Sequence, residues 1–265
     1  MTTLHIVVLA IVQGLTEFLP ISSSGHLVLV PYLFAWADQG LAFDVAVHFG
    51  SLIAVCVFFR KDIASLLSGG VQVLGGKVRT PESRMALGIA LATIPAAVAG
   101  LLFASWIEAN LRDPMVIVVT LSGYGILMAV ADRLGKRERA INDVGIKEAF
   151  MIGCAQALAL IPGTSRSGVT ITAARFLGFE RKDAARFSFL LSAPVIFLAA
   201  GYKFYGLLTG NEAVAWGQLA LGAAVSCVVA YLSIEFFMRV VTRIGLAPFA
   251  VYRLALAAVI LYVLA

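Results

Sequence analysis

Long runs of apolar residues alternate along this chain with short polar stretches. Six of the runs approach the roughly 20 residues that an α-helix needs to cross the hydrocarbon of a bilayer. They lie at about 41–59, 85–105, 114–131, 184–207, 215–237 and 246–264. The pattern therefore predicts an all-α integral membrane protein with six transmembrane helices, folded as a single membrane domain over residues 1–265.

Two further apolar stretches are each interrupted by a short group of Pro, Gly and hydroxyl residues. The stretch 4–35 is broken at Pro20–Gly25, and the stretch 146–178 is broken at Pro162–Gly168. As helices, the two legs of the first stretch would measure roughly 24 Å and 18 Å, against about 30 Å of hydrocarbon, so neither leg crosses alone. We expect two re-entrant helical hairpins. The alternative is one kinked transmembrane helix per stretch, since Pro and Gly are tolerated in such helices.

The order of these segments is the same in both halves of the chain. Residues 1–131 and residues 146–265 each contain one hairpin followed by three spans. Because each half crosses the membrane an odd number of times, the second must sit upside down relative to the first. The sequence therefore predicts an inverted repeat whose two hairpin tips meet near the middle of the membrane.

The composition excludes the soluble, disordered, collagen-like and coiled-coil classes. Of all residues, 61% are hydrophobic and only 13% are charged, about half the charged fraction of a soluble domain. The net charge of +5 is typical of a membrane orientation signal, and we expect no nucleic-acid partner. Cys56, Cys154 and Cys227 lie far apart in apolar runs, which favours packing roles over a metal site.

The positions of Lys and Arg predict the orientation, because cytoplasmic loops collect these residues. One side of the predicted bundle receives most of them: Arg60, Lys61, Lys77, Arg79, Arg84, Arg133, Lys136, Arg137, Arg139, Arg181, Lys182, Arg186, Arg239 and Arg243. The opposite loops, at about 36–40, 106–113 and 208–214, contain only Arg112. We therefore expect both termini and the mouth of the first hairpin to lie outside, and the second hairpin to enter from the cytoplasm.

Ionisable side chains inside the predicted hairpins are the candidates for function, since charge in hydrocarbon is costly. Folding at the first break brings Glu17, Ser23 and His26 to one tip. Gln13 lies one helical turn before Glu17, on the same face, and the second break carries Arg166. Hydroxyl and glycine residues that surround these groups at the two tips are Ser22, Ser24, Gly25, Thr164, Ser165, Ser167 and Thr170.

This set of side chains is suited to phosphoryl transfer. The guanidinium of Arg166, together with hydroxyls and backbone N–H groups at a helix start, can bind phosphate oxygens. A carboxylate beside such an anion site has a use if it holds a divalent cation or accepts a proton. The nucleophile stays open, because Ser23, His26 or a water activated by Glu17 would each serve.

Purely structural interpretations compete with these assignments. Ser and Gly at helix turns also serve as packing residues, and Glu17 with Arg166 could simply be an ion pair that joins the hairpins. Other polar residues in apolar segments are expected to face neighbouring helices or to extend toward the membrane surface: His48, Arg175, Lys203, Glu235 and Arg253.

Two long motifs connect the sequence to a known family. They are QGLTEFLPISSSGH at 13–26 and PGTSRSG at 162–168, accompanied by FMIG at 150–153 and PFAVYR at 248–253. In order, separation and chain length they resemble the bacterial undecaprenyl-diphosphatase family, also called bacitracin-resistance proteins. The resemblance implies hydrolysis of undecaprenyl diphosphate to undecaprenyl phosphate and inorganic phosphate, which recycles the lipid carrier of peptidoglycan and other envelope polymers.

The resemblance also implies roles for individual residues. Gln13 and Glu17 match the family's metal-binding pattern, for magnesium or calcium. With Gln at position 13 one negative charge is missing, so we expect weaker metal binding than in members with two carboxylates. Ser23 and His26 match catalytic positions, and Arg166 matches the arginine that binds the diphosphate.

Two other function classes are alternatives to the enzyme. Inverted repeats with broken helices are also typical of transporters, so a polyprenyl-phosphate flippase is the main rival, and an inactive membrane scaffold is the third class. For the enzyme we expect a multi-pass protein of the bacterial cytoplasmic (inner) membrane, with an active site that opens to the extracytoplasmic side. Glycine-rich spans, including Gly217 and Gly222, could pack within a monomer or in a homodimer.

Overall fold

A computed structural model describes residues 1–37, 39–111, 113–209 and 215–264 of the chain. Within these ranges the regular structure is helical, apart from one bridge between the backbones of Arg139 and Phe179. The α-helices are α1 (Thr3–Thr16), α2 (Ser23–Leu33), α3 (Leu41–Phe58), α4 (Arg60–Leu74), α5 (Pro81–Asn110), α6 (Pro114–Leu134), α7 (Ile146–Ala157), α8 (Arg166–Phe176), α9 (Arg181–Thr209), α10 (Trp216–Ile244) and α11 (Ala247–Leu264). Arg112, most of the predicted loop 208–214 and the Lys203 side chain lie outside the described residues.

Five of the described helices are long and apolar enough to cross a membrane: α3, α5, α6, α9 and α10. They coincide with five of the predicted spans. The sixth predicted span, 246–264, coincides with α11, which belongs with α1 to the shorter apolar helices. The protein is therefore an all-α, multi-pass membrane protein.

Several helices extend beyond the apolar runs that predicted them, because polar caps prolong them into the membrane surface. The N-terminus of α5 illustrates this. Thr80 accepts the backbone N–H of Ser83 at 3.1 Å, and Pro81 occupies the first helical position. The helix consequently begins several residues before the predicted start of the span at 85.

The segment after α3, which the sequence analysis treated as a cytoplasmic loop, contains the additional helix α4. That loop prediction was wrong because hydropathy detects long apolar runs, whereas α4 is short and has charged residues in its first turn. Its apolar residues follow helical spacing, as at Ile63, Leu66 and Leu67. Gly69 brings α4 against the start of α5, where a Cβ would lie 2.2 Å from the backbone oxygen of Glu82.

The first helix break lies between α1 and α2. Ser22 has a φ of 76°, and its Oγ accepts the backbone N–H of Gly25 at 3.4 Å, which caps α2. The opposite ends of the two helices meet, because the ring of His5 stacks on that of Trp36 with centroids 4.0 Å apart. The chain thus reverses direction at residues 17–22, and we call α1, this turn and α2 the first hairpin.

The second helix break, between α7 and α8, has the same local structure. Ser165 has a φ of 70°, and its Oγ accepts the backbone N–H of Gly168 at 3.2 Å. The opposite ends of this second hairpin are joined through Arg139, which donates to the carbonyl of Leu177 at 3.2 Å and to the carboxylate of Glu148 at 3.0 Å. The chain reverses direction here as well.

The tips of the two hairpins contact each other, and α11 holds them together. The hydroxyl of Ser167 donates to the carbonyl of Leu19 at 3.0 Å. The fully buried guanidinium of Arg253 donates to the carbonyls of Pro20 at 3.4 Å and Gly163 at 3.0 Å. Two further bonds from Arg253 reach carbonyls of α6 at 3.1 and 3.2 Å. This cation therefore faces other helices, as the sequence predicted, and it fixes the relative position of both tips.

An aromatic core supports the tips from one side. Phe18, in the first tip, meets Phe189 edge-on with ring centroids 5.3 Å apart. Phe189 lies 5.7 Å from Phe237, which in turn meets Phe249 at 5.2 Å. These rings come from α9, α10 and α11, so helices of the second half of the chain form the wall behind the first tip.

Candidate active site

The carboxylate of Glu17 is the point at which the two hairpins converge. Glu17 directly follows α1, and its residue is only 8% exposed. Its Oε1 accepts from Arg166 Nη2 of the second hairpin at 3.0 Å, and its Oε2 accepts from the hydroxyl of Ser23 at 2.8 Å. The structure therefore brings together three of the side chains that the sequence proposed as catalytic.

Gln13 completes this cluster from one helical turn earlier. Its Nε2 donates to Glu17 Oε2 at 3.0 Å, and its side chain is fully buried. The amide oxygen of Gln13 has no hydrogen-bond partner in the described part of the chain. A buried acceptor left unpaired costs about 1–3 kcal/mol, so this oxygen is a position where a ligand would be stabilising.

His48 of α3 lies on another side of the Glu17 carboxylate. Its Nε2 is 3.7 Å from Glu17 Oε2, and its Nδ1 is 2.7 Å from the backbone carbonyl of Asp44. The sequence analysis expected His48 to face neighbouring helices or the membrane surface. It missed this contact because α3 is continuous and apolar, and nothing in its spacing relates it to α1.

Arg166 is held in place from several directions. It is the first residue of α8, and its Nη1 donates to the carbonyl of Ser188 in α9 at 3.2 Å. Its guanidinium lies over the ring of Phe18, 5.6 Å from the centroid. A planar cation fixed in this way, next to the N-terminus of a helix, can present its other N–H groups to phosphate oxygens.

The predicted phosphate-binding hydroxyls divide into two groups. Most are engaged with the protein: Ser22 and Ser24 contact each other at 3.2 Å, Ser165 and Ser167 at 3.3 Å, and Thr170 contacts Ser188 at 2.6 Å. Thr164 differs, because its buried Oγ1 has no partner among the described residues. Gly25 contributes its backbone N–H to the Ser22 cap described above. Thr164 is thus the second orphaned polar group at the tips.

His26 belongs to a separate cluster. Its Nδ1 lies 2.7 Å from the backbone carbonyl of Ser22 and its Nε2 lies 2.7 Å from the hydroxyl of Tyr252. A carbonyl can only accept, so Nδ1 carries the proton and the Nε2 of a neutral ring accepts from Tyr252. The described contacts of His26 do not include Glu17, Ser23 or Arg166, so the structure does not place it in the Glu17 cluster.

Tyr252 and Arg253 are functional-site residues to which the sequence analysis gave no role. Tyr252 orients His26, with the two rings 5.7 Å apart and nearly parallel, while Arg253 joins the tips. Both belong to the PFAVYR segment that carried part of the family resemblance. The segment was therefore visible, but its contact with a histidine 226 residues away was not.

The side chains around Glu17 decide whether a divalent cation could bind at this tip. Among the described residues no three His, Cys, Asp or Glu side chains form a metal-binding group. A cation beside Glu17 could be held by its carboxylate and by His48, and the amide oxygen of Gln13 would join them if the amide turned over. Carboxylate, imidazole and amide oxygen are all metal ligands, so the donor set fits.

An apolar groove begins next to the first tip. Gly25, Leu29 and Tyr32 of α2 line one side of it, and residues of α6 and α11, including Ile117 and Ile260, line the other. Since Gly25 is also part of the Ser22 cap, the groove starts one residue from His26. The apolar groove thus lies beside His26, at the tip of the first hairpin.

This arrangement can be compared with known proteins. The family model described as bacitracin resistance protein BacA matches residues 6–259, nearly the whole chain. The chain belongs to the BacA family. All the site residues of this BacA family member, from Gln13 in α1 to Arg253 in α11, lie inside the matched range.

Curated relatives of this BacA family member carry a common name. A protein named undecaprenyl-diphosphatase from Hahella chejuensis is 52% identical over 258 residues, which cover 97% of each chain. One of the same name from Teredinibacter turnerae is 51% identical over 256 residues, again 97% of each chain. Undecaprenyl-diphosphatase 2 from Stutzerimonas stutzeri is 50% identical over 264 residues, or 98% of each.

Proposed function

We propose that the protein is an undecaprenyl-diphosphate phosphatase, which hydrolyses undecaprenyl diphosphate to undecaprenyl phosphate and inorganic phosphate. Relatives of that name share about half of its residues over almost the full length. One structural observation carries the proposal. A single buried carboxylate, Glu17, contacts both a hydroxyl nucleophile, Ser23, and a phosphate-binding cation, Arg166, from a helix 149 residues away.

The geometry supports a serine-based mechanism. Arg166 binds the terminal phosphate, and Ser23 Oγ attacks its phosphorus while its proton passes to Glu17 Oε2, 2.8 Å away. The bond from phosphorus to the bridging oxygen breaks, and undecaprenyl phosphate leaves with the electron pair. Glu17 passes its proton to the departing undecaprenyl phosphate and is again a carboxylate. It then deprotonates a water whose attack on the phosphoserine breaks the bond from phosphorus to Ser23 Oγ, and it returns the proton to Ser23 as inorganic phosphate leaves.

The other nucleophiles considered in the sequence analysis are less well supported. Both ring nitrogens of His26 are engaged, with the Ser22 carbonyl and with Tyr252, so the ring has no lone pair directed at the Glu17 cluster. A water activated by Glu17 would attack directly and would need no phosphoserine. Ser23 is favoured because its hydroxyl already donates to the carboxylate.

The proposed enzyme uses a divalent cation, magnesium or calcium in the expectation from the family resemblance. Gln13 and Glu17 would hold it at the first tip, where their oxygens are buried. When bound, the cation neutralises charge that develops on the phosphoryl oxygens. The protein's own residues bind, orient and deprotonate, as described above.

The substrate's shape accounts for the remaining features. A prenyl chain cannot leave the hydrocarbon, and the apolar groove beside Gly25 gives its first isoprene units a route from the tip to lipid. Within the proposal the two hairpins are re-entrant, the halves 1–131 and 146–265 form an inverted repeat, and six helices span the bacterial inner membrane. The distribution of Lys and Arg supports a site that opens outside.

Phosphate release tests this proposal directly. The purified protein in detergent, supplied with undecaprenyl diphosphate and magnesium or calcium, should release inorganic phosphate, and a chelator should stop the reaction. Glu17→Gln and Arg166→Ala should abolish release. Glu235→Gln is the matched control, because within the described part of the chain Glu235 pairs with Arg239 of the same helix, away from the tips.

The outcomes separate the candidate functions. Metal-dependent release that disappears in both tip variants and persists in the control supports the hydrolase. Folded wild-type protein that releases no phosphate would replace it with lipid transport, the rival function of an inverted-repeat membrane protein.

A further inference from the structure

The imidazole of His48 is placed where it could serve as a metal ligand as well as an ion-pair partner of Glu17. Its Nε2 lies 3.7 Å from Glu17 Oε2, too far for a hydrogen bond. Two atoms bound to one ion at about 2.1 Å each lie roughly 3 to 4 Å apart, so this separation leaves room for a shared cation. The contact joins α3 to the end of α1.

The other ring nitrogen of His48 supports this assignment. Nδ1 lies 2.7 Å from the backbone carbonyl of Asp44, which can only accept, so Nδ1 carries the proton. Metal-bound histidines almost always donate their second N–H in this way, because it fixes the tautomer and orients the ring. The lone pair of Nε2 is thereby directed toward Glu17.

Gln13 supplies the third donor. Its Oε1 is buried without a partner, while its Nε2 points at Glu17 Oε2. Rotation of the amide by half a turn exchanges these two atoms, which differ little in size, and presents the oxygen to the same point as Glu17 and His48.

We propose that His48 is a ligand, together with Gln13 and Glu17, of the divalent cation of this site, and that the imidazole makes the site prefer a first-row transition cation over calcium. Imidazole favours such cations, whereas calcium and magnesium favour all-oxygen sites. The inference deepens the proposed function, on which it rests for the need of a cation. It also gives the chain a donor in place of the carboxylate that Gln13 lacks.

Pulsed EPR of bound Mn²⁺ tests the inference, because it detects the ¹⁴N nucleus of a directly coordinated imidazole. The chain has three histidines in all, His5, His26 and His48, so three single variants assign the signal completely. We expect ¹⁴N modulation in the wild type, in His5→Gln and in His26→Gln, and none in His48→Gln. Mn²⁺ affinity should fall about tenfold or more in His48→Gln, while Ca²⁺ affinity changes much less.

A measurement without substitution protects the test against misfolding of the variant. Wild-type protein that contains ¹⁵N-labelled histidine should replace the ¹⁴N modulation by that of ¹⁵N. Mn²⁺ that binds without nitrogen modulation, a modulation lost in His26→Gln instead, or absence of Mn²⁺ binding would each overturn the inference. Phosphate release, measured separately, reports on the proposed function: release without nitrogen coordination refutes the ligand alone, and coordination without release refutes the hydrolase alone.

Discussion

The two helix breaks share one backbone design and contribute opposite chemistry to the site. Each has the pattern Ser-x-Ser-Gly, in which Ser22 or Ser165 adopts a positive φ and caps the following helix with its side chain. The variable position holds Ser23 in the first hairpin and Arg166 in the second. A single turn geometry therefore delivers a hydroxyl from one side and a cation from the other.

The segments that lead into the two breaks, α1 and α7 with the residues that follow them, also differ in their chemistry. Six residues before Ser23 stands Glu17, and six before Arg166 stands Leu160. Four residues earlier, both hairpins have a buried glutamine, Gln13 or Gln156, and both amides leave polar atoms unpaired. The second hairpin thus keeps the buried glutamine but has no acid at the position that corresponds to Glu17.

The mouths of the hairpins, which are the ends opposite their tips, show a second contrast. The first is closed by the stack of His5 on Trp36. The second is tied by Arg139, which pairs with Glu148 and lies over the ring of Phe179, 4.6 Å from its centroid.

Removal of the Ser23 hydroxyl should produce the largest change. Ser23→Ala is expected to lower kcat about 10³-fold or more, because the attacking oxygen is lost. Ser68→Ala is the control, since that hydroxyl is exposed on α4, away from both tips, and accepts from Gln72 at 3.4 Å. Single-turnover phosphate release measures both. A loss below about tenfold in Ser23→Ala would instead favour attack by water.

Replacing the cation of the second break by a different cation should have a smaller effect. Arg166→Lys is expected to lower kcat/KM about 10²-fold, because a lysine cannot bind Glu17, the Ser188 carbonyl and a phosphate at the same time. Arg239→Lys, at an exposed position, should be unchanged. Activity equal to the wild type in Arg166→Lys would mean that only the charge matters.

Arg253, which joins the two hairpin tips, should matter for the stability of the protein. Arg253→Met removes a buried cation that donates to four backbone carbonyls, and it should lower the free energy of unfolding by about 3 kcal/mol. Thermal unfolding in detergent measures this change. The exposed Arg239→Met provides the comparison, with an expected loss below about 0.5 kcal/mol. Equal effects of the two substitutions would contradict the stabilising role of Arg253 between the tips.

The smallest effect is expected for Glu148, at the mouth of the second hairpin. Hydrogen bonds from its own backbone N–H and from Arg139 hold the pKa of the Glu148 carboxyl below its usual value. Its contribution is therefore present above the usual pKa and is lost as pH falls through the lowered one. Glu148→Gln should cost less than about 1 kcal/mol at neutral pH, with unchanged phosphate release. A change of activity would show that this mouth takes part in access.

Most of the helices and the centre of the site could be predicted from local sequence. Long apolar runs marked the spanning helices, and the interruptions at residues 20–25 and 162–168 marked the tips. The sequence predicted that the two tips meet and gave a Glu17–Arg166 ion pair as the structural alternative to a catalytic pair, and the two side chains do contact each other. These features depend on residues close together in the chain, or on a charge that has few partners to choose from.

The remainder depends on contacts between distant segments. His48 and Tyr252 meet Glu17 and His26 through helix packing, and no periodicity in α3 or α11 indicates which neighbour a side chain reaches. Arg253 was visible as a charge, but its carbonyl partners are backbone atoms that every sequence possesses. The helix α4 was not predicted because its apolar residues form no run long enough for a span, so the segment was treated as a loop.

Glu17 and Arg166 lie 149 residues apart in the chain, so the ribosome makes them at different times. Synthesis runs from the N-terminus, so the first hairpin, with its acid and hydroxyl, enters the membrane well before its cationic partner exists. Arg253, which ties the tips, is made after both of them. A chain that stops before residue 253 therefore has both hairpins but lacks the side chain that joins their tips.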